Sequence, residues 1–159
     1  MDTSISNELT GGLRVVFEDL NPGLRFAVYA ELRNSGFRSL ALTDQPQVHA
    51  HLADRTGTVV ATTSLVVSAP VHEKQWAVIP PRAYLGFRID LQTIGVPTRE
   101  DKKVLLALGK QVWRLEPGNY VLKVVLTYED MEGPHENPFI GELLLPELHF
   151  LLTEKMIAG

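Results

Sequence analysis

The chain has 159 residues and a formal net charge of −4 at pH 7, and it contains no cysteine. The lack of cysteine excludes disulfides, thiolate metal sites and cysteine nucleophiles. Lysine and arginine are scattered along the chain without a cluster larger than Lys102-Lys103, which argues against a nucleic-acid-binding surface. No run of about 18 apolar residues is present, so the sequence predicts no membrane-spanning helix.

The composition predicts a single domain with short flanking segments. A chain of this length can bury roughly 70% of the surface that its unfolded state exposes. Residues 1–11 are small and polar and are expected to form a flexible arm, 12–152 the folded domain and 153–159 a tail. No signal peptide is visible at the start. The sequence as written indicates a cytoplasmic protein, or a periplasmic or secreted one if a signal has been removed.

Alternation of apolar and polar residues predicts strands through the first half of the chain. These strands lie at 12–18, 24–33, 40–42, 47–53 and 58–63. Residues 34–36 form a turn after the second strand, and residues 54–57 form a hairpin turn between the last two. Residues 64–74 lose the alternation and are expected to form a crossover loop.

Prolines mark interruptions in the second half. Pro80 and Pro81 follow an apolar segment and cannot pair in a central strand, so they indicate an edge or a switch between sheets. A strand is predicted at 85–91, with Asp90 on its outer side. The last strand spans 139–152, and Pro146 in its middle predicts two pieces.

One segment carries a helical pattern. Thr98 can cap the first-turn amides, acidic residues follow it, and Gly109 can end a helix in the left-handed conformation. The apolar residues on one face would be Val104, Leu105 and Leu108. The pattern predicts a helix of about three turns over 98–109.

The turn at Pro117-Gly118 precedes a long central strand, which alternates from Tyr120 to Tyr128. This arrangement resembles the tyrosine corner of immunoglobulin-like sandwiches. In such a corner the phenol of Tyr120 packs inside, and its hydroxyl bonds to backbone a few residues upstream.

The order of the turns resembles that of small bacterial immunoglobulin-like domains, including those typified by the BsuPI-type intracellular proteinase inhibitors. The matching features are Leu-Arg-Asn-Ser-Gly, Ala-Asp-Arg-Thr-Gly-Thr-Val-Val, Val-Ile-Pro-Pro and Leu-Glu-Pro-Gly-Asn-Tyr. The resemblance covers residues 12–152. It implies an all-β, immunoglobulin-like antiparallel β-sandwich of about seven to nine strands with one short crossover helix. No inhibitory loop carries over residue by residue.

Local signatures of catalysis are absent from the sequence. It has no Gly-x-Ser-x-Gly elbow, no phosphate-binding glycine loop and no His-Glu-x-x-His pair. A triad assembled from distant residues stays open as an alternative. We therefore expect no enzyme activity, no catalytic residue and no cofactor.

Three groups of residues could bind a ligand. His49 and His51 share one face of a strand and would suit Zn²⁺ or Cu²⁺ with a third ligand, but two ligands are too few, so outward polar residues are the favoured interpretation. The acidic residues of 129–138 could hold Ca²⁺, but they lack the regular spacing of a calcium loop. The third group consists of Trp76, Trp113 and Tyr29. These aromatic side chains could form a platform that stacks on a sugar, or they could pack in the core.

The favoured function is a non-catalytic binding or accessory module of bacterial type that recognises another protein. Loops 34–37 and 129–138 take the positions of two loops that meet at one end of an immunoglobulin-like sandwich. Phe37 is the candidate exposed contact, although it could pack in the core instead. The candidate acidic rim consists of Glu129, Asp130 and Glu132, which would suit a basic or mixed-charge partner.

Other functions stay open. A protease inhibitor belongs to the same broad class, and an exposed ordered loop with a substrate-like residue would favour it. A metal-dependent or cryptic enzyme belongs to a different class. If neither loop binds, the edge strand interrupted at Pro146 is the next candidate surface.

Overall fold

The computed structural model describes residues 8–20, 23–43, 46–62, 76–90, 99–100, 103–109, 111–129 and 139–154. The regular elements in this part of the chain are all strands. They are β1 (Leu9–Leu20), β2 (Gly23–Asn34), β3 (Leu40–Thr43), β4 (Gln47–Asp54), β5 (Trp76–Ile79), β6 (Tyr84–Arg88), β7 (Arg99–Glu100), β8 (Lys103–Leu108), β9 (Gln111–Leu115), β10 (Gly118–Tyr128), β11 (Gly141–Leu144) and β12 (Leu148–Leu152). Within these residues, no helix is long and apolar enough to cross a membrane.

The strands form four sheets, and all their pairings are antiparallel. The sheet order is β1-β2-β6 in one, β3-β5 in the second and β7-β8-β9 in the third. In the fourth sheet, β10 pairs with β4 along one edge and with β11 and β12 along the other. The prediction of an all-β protein is therefore confirmed, with more strands than the seven to nine expected.

One hydrophobic core joins the sheets. Leu122, Val124 and Leu126 of β10 are completely buried, as the alternation predicted. Trp113 of β9 is only 1% exposed and packs in the same cluster as the residues of β10. Its indole Nε1 donates to the carbonyl oxygen of Val60 at 3.3 Å. Trp113 is therefore a core residue and not part of a sugar platform.

The helix predicted over 98–109 is wrong wherever the structure describes that segment, since β7 and β8 occupy it. Residues 104–108 are all buried, so this run has no polar face. A short continuous apolar run fits a strand covered on both sides as well as it fits a helix. β9 pairs with β8 from Val104 to Leu108 and satisfies the backbone groups along that edge. Thr98, the predicted cap, lies outside the described residues.

Both predictions from proline hold in the structure. Pro80 and Pro81 separate β5, which pairs with β3, from β6, which pairs with β2, so the chain switches sheets there. Pro146 divides the last strand into β11 and β12. Leu144 lies opposite Val125 and Leu148 opposite Leu122, so residues 145–147 face only residues 123–124. The extra residue makes a bulge in this strand.

Two local expectations about strand bounds need correction. β1 begins at Leu9 rather than Gly12 and pairs there with Asn34. The return strand expected at 58–63 is reduced in the described residues to a single bridge between Ala53 and Val59. The carboxylate of Asp54 accepts bonds from the amides of the residues that follow, and such local bonds compete with strand pairing.

Asp90, expected on the outer side of a strand, is buried instead. Its Oδ1 accepts a hydrogen bond from the backbone N–H of Val28 at 2.8 Å. The Arg88 guanidinium donates to both carboxylate oxygens, at 2.8 and 2.7 Å. The alternation fails here because Ile89 and Asp90 both lie against β2, where the Ile89 N–H donates to the Val28 carbonyl.

The tyrosine corner predicted at Tyr120 is present. The Tyr120 hydroxyl donates to the carbonyl oxygen of Glu116 at 2.6 Å, and its ring stacks on Phe150 with centroids 5.5 Å apart. Burial raises the pKa of the Tyr120 phenol. We expect Tyr120→Phe to lower the free energy of unfolding by about 1 kcal/mol, because the part-buried hydrogen bond to the Glu116 carbonyl is lost. Urea unfolding would measure this change.

Tyr128 provides the matched control. Its hydroxyl is buried and has no hydrogen-bond partner in the described structure, and its ring packs edge-on against Phe139. Tyr128→Phe should therefore be neutral or slightly stabilising. Burial raises the pKa of Tyr128, so the folded state favours the neutral phenol. The stabilisation that the neutral Tyr128 phenol gives the folded state is complete below the unfolded-state pKa of about 10. It is lost as the pH rises through the raised pKa of the folded state. Equal effects of the two substitutions would contradict the assignment of Tyr120 as the corner.

Candidate interaction surface

Phe37 lies in the loop between β2 and β3 and is 96% exposed. The alternative that it packs in the core is therefore wrong. The loop is short, and its conformation is fixed by hydrogen bonds to residues on three separate segments of the chain. Because these hydrogen bonds fix the backbone of the loop, the large apolar side chain of Phe37 stays in solvent.

Asn34, the last residue of β2, holds the loop from inside. Its side-chain amide donates to the carbonyl oxygens of Arg38 at 2.8 Å and Ile79 at 2.9 Å. Its Oδ1 accepts the Gly36 N–H at 3.0 Å. Asn34 is completely buried, and its bond to Ile79 is buried with it, so water does not compete for that bond. One side chain thus connects both halves of the loop to the end of β5.

Glu8 is the second support of the loop. Its carbonyl oxygen accepts the Ser35 N–H at 2.6 Å, and its carboxylate pairs with Arg38 Nε at 3.2 Å. The backbone of Gly36 lies directly on the Glu8 side chain, since a Cβ at Gly36 would come within 2.8 Å of its Cγ. A larger residue at position 36 would push the loop away from its support.

The turn at 80–83 forms the third support. The Ala83 N–H donates to the Pro80 carbonyl at 3.1 Å, and Arg82 has a φ of 67°. Proline at the second position and positive φ at the third describe a type II turn. The Arg82 N–H donates to the Asn34 carbonyl at 2.7 Å, and the Asn34 N–H donates to the Ala83 carbonyl at 3.0 Å. The turn and the loop therefore form one continuous edge.

Tyr84 and Arg33 extend this edge onto the sheet. They lie directly opposite each other on β6 and β2, and the guanidinium sits over the ring at 5.5 Å from its centroid. Tyr84 is 72% exposed. We use the term Phe37 surface for the exposed residues around Asn34. These residues are Arg33, Phe37, Arg38, Arg82 and Tyr84.

The predicted acidic rim is only partly described. Glu129 is exposed at the end of β10, where its carboxylate accepts a hydrogen bond of 3.4 Å from the side chain of Gln47. Asp130 and Glu132 lie outside the described residues. The charged residues on and around the Phe37 loop are three arginines, Arg33, Arg38 and Arg82, together with Glu8, which pairs with Arg38. Sequence reasoning missed Arg33, Arg82 and Tyr84 as members of the surface because the turn that joins them is distant in sequence.

His49 and His51 are both exposed on the outer face of β4. Their neighbours on β10 are Val125 and Lys123, and Lys123 pairs with Glu147 at 3.1 Å. Within the described part of the chain, no group of three or more histidine, aspartate or glutamate residues is placed to hold a metal ion. A cation beside His51 disfavours a bound metal ion by electrostatic repulsion.

We accordingly expect no functional metal site at His49 and His51. Two imidazoles on a flat strand give weak coordination that does not select one divalent metal over another. Calorimetric titration with Zn²⁺ and Cu²⁺ should show no one-to-one site tighter than about micromolar. Such a site, if it disappeared in His49→Ala, would show that this expectation is wrong.

Comparison of the chain with models of protein families, with curated proteins and with solved structures gives no match.

Proposed function

We propose that this chain is a non-catalytic module that binds another protein through the Phe37 surface. The observation that carries the proposal is the 96% exposure of Phe37 on a loop held by the buried Asn34. A loop fixed before binding loses little conformational entropy when a partner arrives. Large aromatic side chains and arginines also dominate the binding energy of most interfaces.

The fold supports this reading. The tyrosine corner at Tyr120 and the antiparallel sheets around one core are features of an immunoglobulin-like sandwich of the bacterial kind that the turns resemble. The loops at the ends of such sandwiches commonly carry binding sites, because the sheets fix their positions. We propose that the 34–38 loop is such a binding loop.

The experiment is site-specific photo-crosslinking in cells of the native host. A benzoylphenylalanine replaces Phe37 in one variant and Val59, which is 72% exposed on another segment, in the control. The account predicts a discrete crosslinked species at position 37 that is absent at position 59. Equal crosslinking at both positions would contradict it, provided that both variants keep the thermal midpoint of the wild type.

Protease inhibition is a second candidate, favoured by the same loop. An inhibitory loop must be exposed and rigid, and it must present one residue to the specificity site of the protease. Phe37 has this form and would suit a hydrophobic specificity slot such as that of chymotrypsin. A titration of chymotrypsin activity with the wild type and with Phe37→Ala distinguishes the two functions. Inhibition that requires Phe37 would favour the inhibitor.

A further inference from the structure

The charge around Phe37 is opposite to that of the chain. The formal net charge is −4, yet the Phe37 surface contains the three arginines Arg33, Arg38 and Arg82. Within the described residues, Glu8 is the acid that pairs with this surface, through Arg38. The surface therefore has a local positive charge on an acidic protein. Attraction from such a patch acts over about 8 Å at physiological ionic strength.

The backbone conformation of Arg82 is independent evidence that an arginine at this surface serves a function. It occupies the third position of a type II turn with a φ of 67°, where glycine fits without strain. An exposed arginine gives the fold nothing at this position that glycine would not. Strain of this kind commonly marks a residue that serves function rather than stability.

Arg33 is positioned in a different way. Its guanidinium lies over the exposed ring of Tyr84 at 5.5 Å, which limits the directions in which it can point. A planar guanidinium held at a fixed angle can bind a carboxylate with two parallel hydrogen bonds. Arg33 and Arg82 can thus receive acidic side chains of a partner, whereas Arg38 is already paired with Glu8.

We infer that the partner presents an acidic segment that surrounds an apolar site for Phe37. This inference rests on the proposed function and identifies the chemistry of the partner. It replaces the basic or mixed-charge partner that the sequence indicated. A protein segment is favoured over an anionic membrane or a nucleic acid. Extended polyanions would be repelled by the acidic remainder of the chain, whereas a short acidic segment meets the arginines alone.

The test is selection from a displayed library of random peptides, with the full chain as the bait. Selected peptides should be enriched in aspartate and glutamate next to apolar residues. Their dissociation constants should rise at least about tenfold in Arg82→Glu, because a like charge opposes the acidic segment. Arg55→Glu, an equal charge reversal in the exposed turn after β4, should leave binding within about twofold. The thermal midpoints of both variants confirm folding.

The other outcomes separate the inference from the proposed function. Neutral or basic peptides that require Phe37 but not Arg82 would overturn the acidic partner and leave the binding surface intact. Peptides whose affinity is unchanged in Phe37→Ala would contradict the proposed function as well. Phosphatidylserine-containing vesicles provide a parallel probe. Vesicle binding that depends on Arg82, with no acidic peptide selected, would overturn the inference in favour of a membrane surface.

Discussion

Replacement of Asn34 by alanine is expected to lower the free energy of unfolding by about 3 kcal/mol and to release the Phe37 loop. The substitution removes the donor to the Arg38 and Ile79 carbonyls and the acceptor of the Gly36 N–H. Leaving a buried polar group unpaired costs about 1–3 kcal/mol, and the three losses share one site, so they are not fully additive. Urea unfolding measures the stability, and hydrogen exchange at the Gly36 amide measures the release of the loop.

Ser35→Ala is the control for Asn34→Ala. Ser35 is exposed, and its hydroxyl lies 3.4 Å from that of Thr10. Exposed substitutions of this kind change stability by about 0.5 kcal/mol or less. If Asn34→Ala proved as mild as Ser35→Ala, the loop would not depend on the buried amide.

Gly109→Ala should be comparably severe, with a loss of about 3 kcal/mol or more. Gly109 joins β8 to β9 with a φ of 59°, and a Cβ there would come within 2.3 Å of the Val48 carbonyl oxygen. The left-handed conformation costs a residue with a side chain about 1–2 kcal/mol. The clash adds to this because the Val48 carbonyl is backbone and the Cβ is fixed directly to the backbone of residue 109, so neither can rotate away. Thermal or urea unfolding measures the loss.

Gly57→Ala separates the two causes of the stability loss expected in Gly109→Ala, which are the left-handed conformation and the clash with Val48. Gly57 also has a positive φ, 85°, but a Cβ there would meet nothing within 4 Å. It should therefore lose only the conformational contribution of about 1–2 kcal/mol. Equal losses at the two glycines would show that the hairpin after β8 does not pack against Val48 as described.

Local patterns predicted the parts of the fold that depend on neighbouring residues. The alternation of apolar and polar residues predicts β2 and β10. The Pro117-Gly118 turn predicts the Tyr120 corner, and Pro146 predicts the bulge in the last strand. The run at 104–108 was misread because a buried strand and a buried helix share the same apolar sequence. The partner strand that decides between them, β9, contributes through pairing rather than through local pattern.

Buried polar residues were the part of the structure that the sequence could not predict. Asn34 looks like an ordinary turn residue, yet one of its bonds reaches Ile79, 45 residues away. Asp90 looks like the outer residue of a strand, yet it bonds to Val28, 62 residues away. The sequence left open whether Phe37 lies in the core or at the surface. The exposure of its side chain depends on the supports from Glu8 and the 80–83 turn, which are distant in sequence. The candidate surface therefore became visible only with long-range contacts.

The central claim is that Phe37 is the main contact of a protein-binding module. The most direct test is the dissociation constant of the partner isolated by crosslinking at position 37, measured for the wild type, Phe37→Ala and Val59→Ala. The account predicts that Phe37→Ala weakens binding about 30-fold or more, the effect of losing about 2 kcal/mol at the centre of an interface. Val59→Ala should bind as the wild type does. Equal affinity for the wild type and Phe37→Ala would contradict the account.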